Sequence, residues 1–152
     1  VVDASVALKW VLRERDSSQA LALLASRETL LVPDFWLNEA VNVLWLQVHR
    51  HVWTSDEARH GLMLLRDAVP PTQTADMGLH PVALGIALAI DHSPYDCLYA
   101  AFAIAMGAGR MVTADVPFMT AHRQHPDPRL ARLPVSVGEW AAMAGQPLPG
   151  TA

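Results

Sequence analysis

Short apolar runs and longer amphipathic stretches alternate along this chain, and the alternation predicts its elements. VVD (1–3) reads as a short buried strand, followed by a helix over SVALKWVL (5–12). Asp16 and Gln19 read as a capping box for a helix over 17–26. TLLVP (29–33) is a second strand, stopped by Pro33, and Asp34 reads as the cap of a strong helix over 35–51. Thr54 and Glu57 form another capping pair, opening a helix to about Val69 that Pro70 and Pro71 end. TQTA (72–75) is a weak third strand. His80 and Pro81 begin a helix to about Ile90. Ser93 and Pro94 begin the next, SPYDCLYAAFA (93–103), which Gly107 and Gly109 stop. RMVT (110–113) and PVSV (134–137) are the last strands. Between them lie a short helix after Asp115 and a solvated loop at HPDPR (125–129), and Ser136 and Glu139 cap a final turn. Strands separated by helices indicate an α/β protein with a parallel sheet covered on both faces. Sites in such sheets form beyond the carboxyl ends of the strands.

At 152 residues the chain suits one domain over 1–144 with a flexible C-terminal tail over 145–152. Its 52% apolar content allows a sizeable core. The oily segments VALGIALAI (82–90) and CLYAAFAIAM (97–106) fall short of the roughly 18 residues of a membrane span and read as buried helices. VVDASVALKW has neither the basic region nor the cleavage motif of a secretory leader, and the lone cysteine forms no internal disulfide; both point to the cytoplasm. Cys97 itself is expected as a buried, inert thiol. A net charge of −4 argues against a broad basic grip on nucleic acid. It leaves room for a nuclease whose gathered acids hold cations, because the formal charge then misstates the sign of the working site.

Four acids stand where chains usually avoid them. Asp3 and Asp115 follow strands; each is either the cap of the next helix or a site carboxylate. Glu39 lies in the otherwise apolar LNEAVNVLWL with no cation at i+4, so it is either a helix-edge acid or a site residue. Asp96 sits in the opening turn of an oily helix, where it can bond back to the N–H of the cap or face a site. Together the four can converge at one end of the sheet. Neighbouring carboxylates repel, and hard divalent cations such as Mg²⁺ or Mn²⁺ relieve that repulsion through oxygen ligands.

On these residues the chain resembles a PIN domain, specifically the VapC toxins of bacterial toxin–antitoxin pairs. VVDASV resembles the family's opening strand with its first acid, Asp3. VPDFWLNEAVNVLW resembles the segment with the second, Glu39. SPYDCLYAAFA resembles the helix with the third, Asp96, and VTADVPF the T-x-D segment with the fourth, Asp115. The ordered set spans about Val1 to Met143. Val116 and Pro117 stand where the family often has a basic residue.

The resemblance implies a three-layer sandwich with a central parallel sheet of about five strands. It also implies a metal-dependent endoribonuclease that forms a homodimer and is inhibited by a cognate VapB-like antitoxin. Asp3, Glu39, Asp96 and Asp115 would be its catalytic residues and hold Mg²⁺ or Mn²⁺, with water activated by the metal cleaving the phosphodiester bonds of an RNA substrate. Ser5 and Thr113 are expected beside the cofactor site, orienting the acids, or else as a helix-start hydroxyl and a plain strand residue.

Around this site the signals are broader. Lys9, Arg13 and Arg15 read as a solvated helix face before an RNA contact, His49 and His51 as a helix end, and His122 and His125 as residues without a partner. Trp10, Trp36 and Trp45 read as core or interface, and VALGIALAI, apolar over more than one face, as a dimer or antitoxin surface. Competing functions are a metal-dependent DNase or phosphatase on the same fold, or a non-catalytic PIN-like module that binds RNA or protein. An aspartyl-phosphate phosphatase needs two aspartates two apart after the first strand, whereas Asp3 is followed by Ala4 and Ser5.

Overall fold

A computed structural model of the chain describes residues 1–144, and the tail expected over 145–152 lies outside the described residues. Two three-residue strands pair in parallel, β1 (Met111–Thr113) and β2 (Pro134–Ser136), with Met111 opposite Pro134 and Thr113 opposite Ser136. Three further extended segments continue the layer. Val2 bridges Val112 in parallel, and its N–H donates to the Leu31 carbonyl at 2.9 Å. Pro33 bridges Thr72 in parallel, flanked by Thr72 N–H to Val32 and Asp34 N–H to Thr72, both 2.8 Å. The order across the layer is therefore 72, 31–34, 1–3, 111–113, 134–136. Of about five expected strands, two are formed as strands and the others are single bridges. Pro33 brings no N–H to a ladder, and the first segment turns into a helix directly after Asp3.

The helices are α1 (Ala4–Ala7), continued by a 3₁₀ turn (Leu8–Trp10), α2 (Ser17–Leu24), α3 (Trp36–His49), α4 (Ser55–Ala68), α5 (Leu79–Ile90), α6 (Pro94–Ala105), α7 (Val116–His122), α8 (Pro128–Ala131) and α9 (Val137–Ala144). The continuous helix expected over 5–12 is thus broken, and the HPDPR loop contains the single turn α8, capped by Asp127. α6 ends on Gly107, whose φ of 62° lets its N–H reach Ile104 while Ala108 N–H reaches Ala103. Gly61 on α4 allows the Trp53 ring within 3.0 Å of where a Cβ would stand, closing the α3–α4 hairpin. Trp36, Tyr99, Phe102 and Phe118 fill the core with Val6, Leu23 and Leu65.

Two capping pairs form as expected, Thr54 with Glu57 and Ser136 with Glu139. Three do not. Asp16 adopts a left-handed φ of 65° and caps nothing; Ser17 Oγ instead accepts from Glu14 N–H and donates to Leu12. Asp34 does not cap α3, because its carboxylate accepts from the Thr74 hydroxyl at 2.6 Å and from the Thr74 N–H. Ser93 caps α6 by accepting from Tyr95 N–H, while Asp96 turns toward His92. Lys9 is neither solvated nor free for RNA. It is 8% exposed, and its Nζ donates to Glu14 Oε2 at 3.2 Å and to the Arg15 carbonyl at 2.9 Å.

Candidate active site

Asp3 leaves the sheet and enters α1 within one residue. Its N–H donates to Val112, and its side chain caps α1 through Ser5 N–H. Its carboxylate, only 9% exposed, also accepts from Ser5 Oγ at 2.9 Å and from Thr113 Oγ1 at 2.5 Å, both on Oδ2. Ser5 Oγ accepts from Ala114 N–H at 3.0 Å and Thr113 Oγ1 from Asp115 N–H at 3.1 Å. Both hydroxyls therefore lie beside the acids and tie Asp3 to the segment carrying Asp115. Burial raises the Asp3 pKa above its ordinary value; the three hydrogen bonds oppose this, and the charge of Asp115 adds to it.

Asp115 caps α7, accepting from Phe118 N–H at 2.8 Å. The capping role and the strand-end position are thus both real for Asp3 and Asp115. Glu39, in the first turn of α3, is an exposed residue, yet its Oε1 accepts from the buried Tyr99 hydroxyl at 2.7 Å. Its pKa is raised, first by burial of the carboxyl and then by the charges of Asp3 and Asp96, while Tyr99 pulls it down. The Asp96 carboxyl is also raised, by burial first and then by Asp115; His92 lowers it and Asp3 adds to the rise. His92 Nδ1 lies 3.3 Å from Asp96 Oδ2, at ion-pair distance but without hydrogen-bond alignment.

Asp3 and Asp96 therefore feel the charge of Asp115, and Glu39 that of Asp3 and Asp96, although the segments carrying them are spread over 113 positions. Among the described residues, no three Asp, Glu, His or Cys side chains are close enough to share one ion as placed, so these acids are neighbours by charge rather than a closed cage. The donor set of carboxylate and hydroxyl oxygens, under mutual repulsion, still matches a hard divalent cation in chemistry.

Tyr99 and His92 were not legible as site residues. Tyr99 looks like core in an oily helix, and its only sequence cue is that it lies three positions after Asp96, on the same helical face. Arg13 and Arg15 are exposed. His49 stacks on the exposed Trp45 at 5.0 Å. His122 lies fully buried against the Phe118 and His125 rings, and among the described residues neither of its ring nitrogens meets a hydrogen-bond partner, whereas His125 Nδ1 accepts from Asp127 N–H at 3.0 Å. Trp36 is core and Trp10 donates to the Ala20 carbonyl, whereas Trp45 is not core. Cys97 is buried, and burial pushes its thiol up to about 11, so it is inert.

Residues 1–119, which include all four acids, match the sequence model of the PIN domain. The chain belongs to the PIN domain family. A solved structure, PAE2754 from Pyrobaculum aerophilum, shares this PIN fold with a TM-score of 0.68 at 21% identity, over 95% of this chain and 88% of that one. No curated protein matches the chain in sequence. The PIN fold is generally that of metal-dependent nucleases, and divalent ions are its usual cofactors. No helix among the described residues of this PIN domain is long and apolar enough to cross a membrane.

Proposed function

We propose that this PIN domain is a VapC-type endoribonuclease, dependent on Mg²⁺ or Mn²⁺, that hydrolyses RNA phosphodiester bonds at Asp3, Glu39, Asp96 and Asp115. The observation that carries the reading is the junction of the strand ends: Ser5 and Thr113 bind the buried Asp3 carboxylate and tie it to the segment carrying Asp115, while the charges of Asp3 and Asp96 reach Glu39. An ionised cluster of this kind is costly unless cations offset it. A divalent cation bound there would supply positive charge against the carboxylates and against the charge developing on the phosphodiester.

The protein's own part is to hold the acids still. Ser5 and Thr113 fix Asp3, the start of α7 fixes Asp115, and the first turn of α6 presents Asp96 beside His92. The outer face of α5 exposes Leu84 and Leu88 one turn apart, an apolar surface suited to a second copy of the chain in a homodimer. In this reading the enzyme is a cytoplasmic toxin silenced by a VapB-like antitoxin.

The deciding experiment compares cleavage of RNA and DNA with and without Mn²⁺ by wild type and Asp3→Asn, and maps cleaved ends in total RNA after expression. Metal-dependent RNA ends that vanish with Asp3→Asn are expected. Preferential DNA cleavage would move the assignment to a DNase, and RNA binding without cleavage to a non-catalytic module.

A further inference from the structure

The four acids are steadied by different means. Asp3 and Asp115 are short side chains held by hydroxyls and backbone N–H groups. Glu39 is longer, with a third side-chain torsion, and is an exposed residue. Among the described residues its one side-chain hydrogen bond comes from Tyr99.

Tyr99 is built into both helices that carry acids at this point. On α6 it lies three residues after Asp96, along the same face. Its ring meets Phe35 edge-on, with centroids 5.1 Å apart at 73°. Phe35 precedes Glu39 by four residues, so the ring packs on one turn of this segment while the hydroxyl holds the next. The residue is 1% exposed, and its hydroxyl feels the charges of Asp3 and Glu39 and lies by the Ala4 backbone.

We propose that Tyr99 is the positioning residue for Glu39: its hydroxyl engages Oε1, restricts the carboxylate to one orientation and leaves Oε2 as the free oxygen for a divalent cation. This rests on the nuclease reading above. A tyrosine present only to fill the core needs its ring; this role needs its hydroxyl.

The test is Mn²⁺ calorimetry on the full chain for wild type, Tyr99→Phe, Glu39→Gln and the double variant, with RNA kinetics alongside. Tyr99→Phe keeps the ring against Phe35, and a urea midpoint checks that it folds. Its Mn²⁺ affinity is expected to fall about tenfold or more, the effect usual for groups that orient metal ligands. kcat should fall with it while KM for RNA stays unchanged. In the Glu39→Gln background, Tyr99→Phe should have almost no further effect, because the two act as one unit. Wild-type affinity in Tyr99→Phe, or an equal loss in both backgrounds, overturns the assignment. If Glu39→Gln weakens binding and Tyr99→Phe does not, the nuclease reading stands and only Tyr99's role falls. Wild type that binds no Mn²⁺ overturns both.

Discussion

The Thr113 hydroxyl donates to Asp3 Oδ2 across 110 positions of sequence, joining the carboxyl ends of two neighbouring segments of the sheet. Thr113 is fully buried and Asp3 nearly so, which makes this bond a principal compensation for a desolvated carboxylate. Thr113→Val keeps the shape and removes the donor. The expected loss is about 1.5–3 kcal/mol, the range for a hydrogen bond to a charged group. It should appear as a lower urea midpoint with an unchanged m-value. A wild-type midpoint would mean that the Ser5 bonds alone suffice.

The raised acids set a pH dependence. A carboxyl whose folded-state pKa lies above its unfolded one binds its proton more tightly when folded, so its stabilisation is complete below the unfolded value and disappears as pH rises through the folded value. For Asp3 and Asp96 the ordinary value is 3.8, and for Glu39 it is 4.5. The melting temperature of chelator-treated protein should therefore fall as pH climbs from this range toward neutrality. Mg²⁺ or Mn²⁺ should recover the loss at pH 7. Asp96→Asn should flatten the profile and reduce the recovery, and scanning calorimetry with and without EDTA reads both.

His122 works in the opposite direction. Burial first, and then the neighbouring His125, lower its pKa from the ordinary 6.5. The unfolded chain thus takes up the proton earlier than the folded one. Stability from this group is complete above pH 6.5 and is lost as pH falls from there through the folded value. Because His122 closes α7, which Asp115 opens, acid should loosen that helix first. Amide exchange over 116–122 at pH 5 against pH 7 measures this, and His122→Phe, apolar in the same packing, should remove the difference.

Leu88 is 77% exposed on α5. If two copies meet there, Leu88→Glu places a charge in the contact and forfeits a burial worth about 1.5–3 kcal/mol per copy. Dimer dissociation should then become more than tenfold easier. Gel filtration across a concentration series reads the change, and a wild type that is monomeric throughout excludes this face.

What the sequence revealed follows from how local each signal is. Thr54 with Glu57 and Ser136 with Glu139 satisfy their helices within three residues, and both pairs were legible. Asp34 offered a local cue too, an acid directly before a helix and after Pro33, but a hydroxyl 40 positions away at Thr74 took its carboxylate. The four acids stood out because oily surroundings made them conspicuous. Tyr99 did not, since a tyrosine in an apolar helix looks like filler until α6 is laid against the start of α3. Lys9 was misplaced for the same kind of reason: the chain folds back at 14–15 and encloses its ammonium.

That enclosure has a practical side. Lys9 is the sole lysine of the chain, and the sole cysteine, Cys97, lies in the core. Amine-directed crosslinkers and thiol-directed dyes therefore find no side-chain handle on the native surface. Proximity experiments that seek whatever this PIN domain touches will need arginine- or carboxylate-directed reagents, or a reactive residue introduced at an exposed position well away from α5 and the acids.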